Sequence, residues 1–291
     1  MYGTSIENRN ERGHMKKILK YENDISLKYY LSGEKVYTKA SSITSAKLPF
    51  VIFIACNRGS FNITFLQNTH FCKEGDVVIV PIYTEYSLNV DEGSHVLYAC
   101  ANLFMYSNLN LFSLYDMPAV ISDEDGREMC RLIEGIVNMD KAREFTSMNI
   151  EYSLIIKESV FHISSLAIKH STLIESKIGI AEKYEKLSPA FLYISDHLVE
   201  IIKHEELYRV MKMSSDSFYR FFKSLTKMAP RDFIVTEKLN LARVLLVTSD
   251  MTIQEISDIS GYDNQHSFAV FFKSKFGITP KKYKGATENL I

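Results

Sequence analysis

The stretch TIQEISDISGYDNQHSFAVFFKSKFGITPKKYK, residues 252–284, decides the fold of the last third of the chain. Ile253 and Ile256 recur at helical spacing and predict a short helix, and Gly261 marks a turn. A second helix is predicted for 264–275, with one apolar stripe on its inner face. The stripe consists of Phe268, Phe271, Phe272 and Phe276. A short helix, a glycine turn and a longer helix with a polar outer face predict a helix-turn-helix.

The same arrangement occurs once more, closer to the N-terminus. A short helix is predicted for 205–211, and a longer helix with its own apolar stripe follows it. The stripe consists of Phe218, Phe221, Phe222 and Leu225. A further helix is predicted ahead of both, over 191–202. Two copies of the motif in one chain are much more specific for a DNA-binding protein than one copy.

Residues that suit helix starts stand where these helices should begin. Ser214 is expected at the N-cap of the longer helix of the first copy, and either Thr252 or Asp250 at that of the short helix of the second copy. Pro230 suits the first turn of a helix over 231–248 that joins the two copies. About eighteen residues at ~1.5 Å each make this linker helix about 27 Å long.

Short runs rich in Val, Ile, Phe and Tyr dominate residues 29–104 and are typical of β-strands. Turn-forming clusters at 57–59, 73–76 and 91–93 separate these runs at short spacing. The first part of the chain is therefore predicted to be an antiparallel β-sandwich or barrel. The apolar period becomes helical over 123–170, where two helices are predicted.

Composition indicates an ordinary folded protein, with 46% hydrophobic and 24% charged residues among 291. The net charge of −1 does not by itself favour nucleic acid. From Glu185 onward there are 15 basic and 13 acidic side chains, a net of +2, which leaves 19 against 22, or −3, for the first part. This asymmetry favours a DNA-binding C-terminal part only weakly.

Cys56, Cys72, Cys100 and Cys130 show neither a CxxC motif nor zinc-site spacing, so we expect buried free thiols. No stretch reaches the ~18 uncharged apolar residues of a spanning helix, and the start of the chain has no signal-peptide pattern. A cytoplasmic location is therefore expected.

The segment quoted above resembles the signature of the AraC/XylS regulators. The matching positions are Ile253, Ile256-Ser257, Gly261-Tyr262, Asn264-Gln265, Phe268, Phe272-Lys273, Phe276-Gly277, Pro280 and Tyr283-Lys284. Upstream, KLNLARVLL resembles the linker helix of the family and MSSDSFYRFFKSLTKMAP its first recognition unit, so the resemblance covers about 191–284. Lys227 departs from it, since it stands where the family has a glycine, and the turn there is expected to differ locally.

The resemblance implies an α+β fold with a cupin-like β-barrel followed by an all-α domain with two helix-turn-helix units. GDVVIVPIYTEYSLNV, residues 75–90, looks like the paired strands of the family's effector domain. Residues 1–14 are set apart as disordered or left over from cloning, because Gly13-His14-Met15 looks like a cloning remnant; a natural origin stays open. The expected division is 1–14, a β-barrel regulatory domain at 15–120, its helical dimerisation segment at 121–170, a linker with some helix at 171–188, and the DNA-binding domain at 189–291.

The resemblance also implies a function: a sequence-specific regulator, expected to be an activator, that acts with RNA polymerase on double-stranded promoter DNA. A homodimer is expected, with control by a small-molecule effector or a regulatory protein. The apolar stripes of the helices over 123–170 suit either a dimer seam or packing onto the barrel or onto the DNA-binding domain.

The recognition helices should meet the major groove with the face opposite their phenylalanines. In the first copy this face holds Ser215, Asp216, Tyr219, Arg220 and Lys223. Arg220 suits a guanine edge and Lys223 a phosphate, whereas Asp216 suits either a cytosine amino group or the helix dipole.

In the second copy the corresponding face holds Gln265, His266, Ala269, Val270 and Lys273. Gln265 suits adenine, and Ala269 or Val270 a thymine methyl group. The basic cluster of Lys281, Lys282 and Lys284 is expected to hold the DNA backbone. A linker of about 27 Å is short for grooves about 34 Å apart, so a bent site or loose engagement by one unit is predicted.

Candidate effector-binding residues in the first domain are Tyr37, Lys39, Phe53 and Phe65, which suit an apolar, anionic molecule. A first domain that binds only a protein partner is the alternative. A cupin-type metalloenzyme is the less favoured one, because His70 and His95 stand alone on separate segments. No catalytic residue, metal or cofactor is expected.

Overall fold

The structure is a computed structural model that describes residues 25–142, 150–262 and 264–288, apart from the side chains of 44–46 and 286–288. The predicted segment 1–14 lies outside the described residues. The first part of the chain is rich in sheet and the last part is helical, which confirms the predicted α+β class.

Two antiparallel sheets form the first part. The strands are β1 (Ile25–Val36), β2 (Ser41–Lys47), β3 (Val51–Arg58), β4 (Ser60–Phe65), β5 (Asn68–Lys73), β6 (Val77–Val80), β7 (Glu85–Val90), β8 (His95–Met105), β9 (Leu109–Asn110), β10 (Tyr115–Asp116), β11 (Val120–Ile121) and β12 (Thr172–Leu173). The larger sheet has the strand order β1-β8-β3-β6-β11 with β9 beside β8, and the other has the order β2-β7-β4-β5. A small pair, β10 with β12, belongs to neither sheet.

Strand β3 shows why the larger sheet is covered on both faces. Phe53 and Ala55 point toward the helices, whereas Ile52, Ile54 and Cys56 point into the space between the two sheets. A strand buried on both sides needs a continuous apolar run, which is what PFVIFIAC supplies. Among the described strands none pairs one sheet with the other, so the two sheets form an open sandwich rather than a closed barrel.

Helices α1 (Asp123–Ala142) and α2 (Ile150–Lys169) cover the outer face of the larger sheet. The apolar stripe of α1, including Met129, Ile133 and Ile136, is buried in the core, so packing onto the sheet is the correct interpretation for this helix. The Asp140 carboxylate near its end accepts hydrogen bonds from the hydroxyls of Tyr29, Ser32 and Tyr152. These bonds tie α1 to β1 and α2.

The C-terminal part is built from α3 (Ile178–Asp196), α4 (His204–Met211), α5 (Ser215–Thr226), α6 (Pro230–Thr248), α7 (Ile253–Ile259), α8 (Gln265–Phe276) and α9 (Pro280–Glu288). Helix α3 occupies part of the segment 171–188 and ends at Asp196. The predicted helix over 191–202 is therefore wrong at both ends, because residues 191–196 are the last part of α3 and the helix ends before His197, whose ring stacks on Tyr193. None of the helices in the described ranges is long and apolar enough to cross a membrane.

All four cysteines are buried and free, as predicted. Burial raises the pKa of the Cys56, Cys72 and Cys130 thiols to about 12 and raises that of Cys100 as well. Because the thiolate is the reactive form, these side chains are inert packing groups at neutral pH.

Candidate nucleic-acid interface

Two helix-turn-helix units correspond residue by residue in the C-terminal part. The first unit is α4 with α5 and the second is α7 with α8. Both recognition helices, α5 and α8, have twelve residues, begin after a polar N-cap and end at a left-handed C-cap. Each landmark of the second unit lies 50 positions after its counterpart: Ser214 and Asn264, Phe218 and Phe268, Phe222 and Phe272, Lys227 and Gly277, Pro230 and Pro280.

The helix starts of the two units are fixed to different degrees. Ser214 Oγ accepts a hydrogen bond from the Ser217 N–H at 3.4 Å, as the predicted N-cap should. Thr252, rather than Asp250, caps α7 in a capping box in which its N–H donates to the Glu255 carboxylate at 2.7 Å. This backbone bond and the Thr252 hydroxyl lower the pKa of Glu255. Helix α4, the short helix of the first unit, begins without a side-chain cap. Of the two short helices, the one in the second unit, α7, is therefore the better capped.

Left-handed residues end the helices of both units. The second unit uses glycine at Gly261 (φ 75°) and Gly277 (φ 77°). The first unit uses lysine at Lys212 (φ 52°) and Lys227 (φ 61°). The expectation of a locally different turn at Lys227 is therefore wrong, because the lysine adopts the left-handed conformation that glycine would have.

The exposed face of α5 presents the five side chains predicted for the first unit. Ser215, Asp216, Tyr219, Arg220 and Lys223 are all exposed. The Lys223 ammonium lies 5.7 Å from the centre of the Tyr219 ring, and Arg220 Nε donates to the Asp216 carbonyl at 3.4 Å. The outer face of the helix therefore carries hydrogen-bond donors and an aromatic ring side by side.

The corresponding face of α8 is less polar. Gln265, His266 and Lys273 are exposed, Ala269 is half-buried, and Val270 is 54% exposed. An exposed β-branched apolar residue in the middle of this face suits a methyl contact and offers no hydrogen bond.

The basic cluster after the second unit is smaller than predicted. Lys281 and Lys282 are exposed, but Lys284 Nζ donates to the carbonyls of Ser249 and Met251 at 3.3 and 2.9 Å. These carbonyls follow the end of α6, where a cation is stabilised by the helix dipole. Lys284 is thus a structural residue, and the expectation that it holds the DNA backbone is wrong.

Two further serines on the recognition helices, Ser224 and Ser274, are exposed. They are not among the residues that the sequence predicts to bind DNA. Each lies four residues after a predicted DNA-binding residue, Arg220 or Val270, and therefore on the same helix face. That spacing is the signal that could identify them.

The linker helix α6 joins the second unit to the sheets. The Arg243 guanidinium, which is 4% exposed, lies between the rings of Tyr83 and Phe276, at 4.2 and 4.4 Å from their centres. Arg243 Nε donates to the Tyr283 hydroxyl at 3.3 Å, and that hydroxyl donates to the Lys47 carbonyl at 3.1 Å. One buried arginine therefore connects β2, the β6–β7 turn, α6, α8 and α9.

The candidate effector residues are not brought together. Tyr37 and Phe65 are buried between the sheets, Phe53 faces the helices on the other side of β3, and Lys39 is exposed. The cavity beside Tyr37 has a volume of about 30 Å³ and is lined by Lys35, Tyr37, Leu48, Ile52, Ile54, Tyr86, Leu88, Val96, Tyr98 and Cys100. Ligand pockets are usually ~300 Å³ or larger, so the sheets must separate before a drug-sized effector can enter.

His70 and His95 also lie apart from each other. His70 packs against Phe65, and His95 bonds Asn57 and Glu34 at 3.1 and 3.2 Å. Within the described ranges one group has the spacing of metal ligands, namely Asp123, Asp125 and His170. Lys169 already donates to Asp125 at 2.6 Å, which supplies the positive charge that a cation would bring.

Comparison with known proteins agrees with this geometry. Residues 207–286 match the family model described as a helix-turn-helix domain. The chain is 25% identical over 132 residues to the probable transcriptional regulator LumQ of Photobacterium leiognathi, covering 45% of this chain and 52% of LumQ. It is 23% identical over 149 residues to the transcriptional activator RhaS of Enterobacter sp. strain 638, covering 51% of each. The chain thus spans about half the length of these curated relatives.

A solved structure similar to this chain is that of ToxT from Vibrio cholerae strain SCE256 with an unsaturated fatty acid bound. The two are 14% identical, with a TM-score of 0.43, and the match covers 91% of this chain and 96% of ToxT.

Proposed function

We propose that this chain, whose residues 207–286 form a helix-turn-helix domain of the AraC/XylS type, is a sequence-specific DNA-binding transcription regulator. The observation that carries the proposal is the pair of matching recognition helices, each with an exposed face opposite a buried phenylalanine pair. One linker helix joins them, so a single chain presents two such faces to DNA.

The first unit is assigned the main base reading. Arg220 reaches a guanine edge through two parallel hydrogen bonds, which is worth about 1–3 kcal/mol of discrimination. Tyr219 and Ser215 contribute neighbouring contacts, and Lys223 binds a phosphate. Asp216 accepts from a cytosine amino group or complements the helix dipole.

The second unit is assigned mainly to positioning. Gln265 reads an adenine, and Ala269 and Val270 contact thymine methyl groups. Lys273 and the exposed pair Lys281 and Lys282 bind phosphates without reading sequence. His266 completes this surface. The nineteen residues of α6 span about 28 Å, less than the about 34 Å between successive major grooves, so we expect either bent DNA or loose engagement by one unit.

The salt dependence of binding tests the proposal. The full chain should select one sequence from random duplexes, and Lys281→Ala with Lys282→Ala should weaken binding to all sequences. The slope of log K against log salt should fall by about 0.9 for each phosphate that a lysine no longer binds. Lys212→Ala, which removes an exposed lysine outside the predicted DNA-binding set, is the matched control. Equal affinity of the full chain for selected and random DNA contradicts the proposal.

We assign to this chain the activation of transcription together with RNA polymerase, because one of its relatives is a transcriptional activator. The sheet domain is assigned the control of this activity, through a small effector or a protein partner. The cavity of about 30 Å³ favours the protein partner, because a small molecule must first open the sandwich. Native mass spectrometry of the purified chain distinguishes the two, since a retained small molecule supports the effector.

A homodimer through α2 completes the proposal. Ile150, Leu154 and Phe161 of this helix are 68%, 61% and 40% exposed and lie on one face. If two copies pair antiparallel with Leu154 opposite Phe161, Lys157 of one copy lies opposite Glu158 of the other. Leu154→Glu should therefore yield monomers in sedimentation equilibrium, whereas the exposed control Ser153→Glu should remain dimeric. A dimer that survives Leu154→Glu contradicts this seam.

A further inference from the structure

An open groove separates the two helix-turn-helix units along one side of the linker helix. The buried cores of the units are separate clusters, and within α6 Ile234 belongs to the first core and Leu239 to the second. The groove has a volume of about 740 Å³. One of its walls is the chain before and at the start of α4, and the other is the α7–α8 turn together with Phe271. Because the cores are separate, the angle between the units depends on α6 and on side chains that reach both walls.

Lys238 lies on α6 between the two cores and contacts both walls of the groove. Its Nζ donates a hydrogen bond at 2.9 Å to the carbonyl of Glu200, which lies in the turn between α3 and α4. The same Nζ lies against Gly261 in the α7–α8 turn, where a β-carbon added to the glycine would be 3.0 Å from it. One ammonium group therefore connects a backbone turn of the first unit with a backbone turn of the second.

The surroundings of Lys238 strengthen this bridge. The side chain is partly buried, so its bond to Glu200 is shielded from bulk water. Hydrogen bonds from a charged donor are roughly twice as strong as those between neutral groups, and a low local dielectric strengthens them further. Gly261, with φ 75°, has no side chain that would hold the ammonium group away from the turn.

We propose that Lys238 is a positioning residue that holds the two units at one angle and thereby sets the half-site spacing that the chain accepts. The inference rests on the proposed function, because half-site spacing matters only if both units bind DNA. Units held at one angle cannot adjust to straight DNA. The DNA must then bend to make up the difference between the length of α6 and the separation of the major grooves.

The bridge itself can be tested without DNA. Spin labels at Arg209→Cys on α4 and Lys275→Cys on α8, both exposed positions, report the distance between the two units. The four native cysteines are buried and do not compete for label. The labelled chain should show one narrow distance. Lys238→Met, which removes the ammonium group from an unbranched side chain, should broaden it, and Lys238→Arg, which keeps a charged donor, should restore it.

Half-site spacing provides the second measurement. One base pair inserted between the half-sites of the selected sequence moves the second half-site by about 3.4 Å along the DNA axis and about 35° around it. This insertion should lower the affinity of the unaltered chain about tenfold or more, as the loss of one base pair's contacts does, and that of Lys238→Met about threefold or less. Lys238→Arg should discriminate as the unaltered chain does. A change confined to stability would lower both affinities alike and leave their ratio unchanged.

Arg231→Met is the matched control, since it removes an exposed cation that lines the same groove without touching the bond to Glu200. It should change neither the distance nor the ratio of affinities. The proposal is overturned if Lys238→Met keeps the narrow distance, if Arg231→Met broadens it equally, or if Lys238→Met broadens it and still rejects the inserted base pair. A chain that selects no DNA sequence contradicts the proposed function instead, and the distances still test the bridge.

Discussion

The two helix-turn-helix units share one backbone arrangement and differ in their helix caps, their turn residues and the side chains on their recognition helices. The first unit has an uncapped short helix, lysines at both left-handed turns and a polar recognition face. The second has a capping box, glycines at both turns and a face centred on Val270. The unit with the better-formed backbone therefore has the less polar recognition face, and this contrast is the basis for the proposed division of base reading and positioning between the two units.

The units also differ in their neighbours. Phe233 of α6 and Tyr283 of α9 occupy equivalent buried positions, 50 residues apart. Only the tyrosine has a hydroxyl, and it joins the second unit to the Lys47 carbonyl and to Arg243. The second unit is thus fixed to the sheet domain by polar bonds that the phenylalanine of the first cannot make.

The buried phenylalanines provide the largest test of this comparison. Phe222→Ala and Phe272→Ala should each cost about 3–5 kcal/mol, because both side chains are fully buried. The loss of hydrogen-exchange protection should stay in α3–α6 for Phe222→Ala. For Phe272→Ala it should spread to the sheets, because Phe272 packs on Tyr283. Identical patterns in the two variants would contradict the difference in attachment.

Base reading provides the next test. Arg220→Ala should reduce affinity for the selected sequence by about 1–3 kcal/mol and relax specificity at one position. Val270→Ala should cost less than about 1 kcal/mol, because it removes only methyl groups that pack on a thymine. Electrophoretic mobility shifts on duplexes mutated position by position measure both. A larger loss of affinity for Val270→Ala than for Arg220→Ala would reverse the assigned roles.

The hydroxyl of Tyr283 has a smaller expected effect. Tyr283→Phe keeps the ring and removes its bonds to Lys47 and Arg243, which should lower the free energy of unfolding by about 1 kcal/mol. Phe233→Tyr in the first unit is the converse control and should not stabilise the protein. Urea unfolding checks both, and an unchanged midpoint for Tyr283→Phe would show that the polar attachment contributes nothing.

The left-handed turns give the smallest effect. Lys227→Gly should stabilise the protein by about 0.5–1 kcal/mol, since glycine adopts positive φ without a steric penalty. Gly277→Lys should destabilise it by a similar amount. Thermal unfolding measures both changes, and a lower melting temperature for Lys227→Gly would show that the lysine side chain stabilises its turn.

Sequence periodicity predicted the helix-turn-helix units well, because their apolar stripes, caps and prolines are local features. Ser214, Pro230 and Asn264 begin helices where the sequence places them. The role of Lys284 could not be predicted, because its partners Ser249 and Met251 are brought near only by the packing of α9 against α6.

The candidate pocket shows the same limit. Phe53 of β3 and Phe65 of β4 both belong to strands, but the face on which each lies depends on strand register, and one residue of shift exchanges the faces. The open edges of the sandwich also depend on long-range pairing. Local composition predicts strands without fixing which of them close a barrel.

Helix α3 has a consequence for work with fragments and chimeras. Ala181 belongs to the core of the sheet domain and Leu187 to that of the first unit, while Tyr184 packs on both. A DNA-binding fragment that begins at residue 189 would lack Leu187 and half of the supporting helix. The two domains therefore cannot be exchanged as independent modules. A chimera with a relative must keep the whole of α3 together with one domain and redesign the contacts of α3 with the other domain.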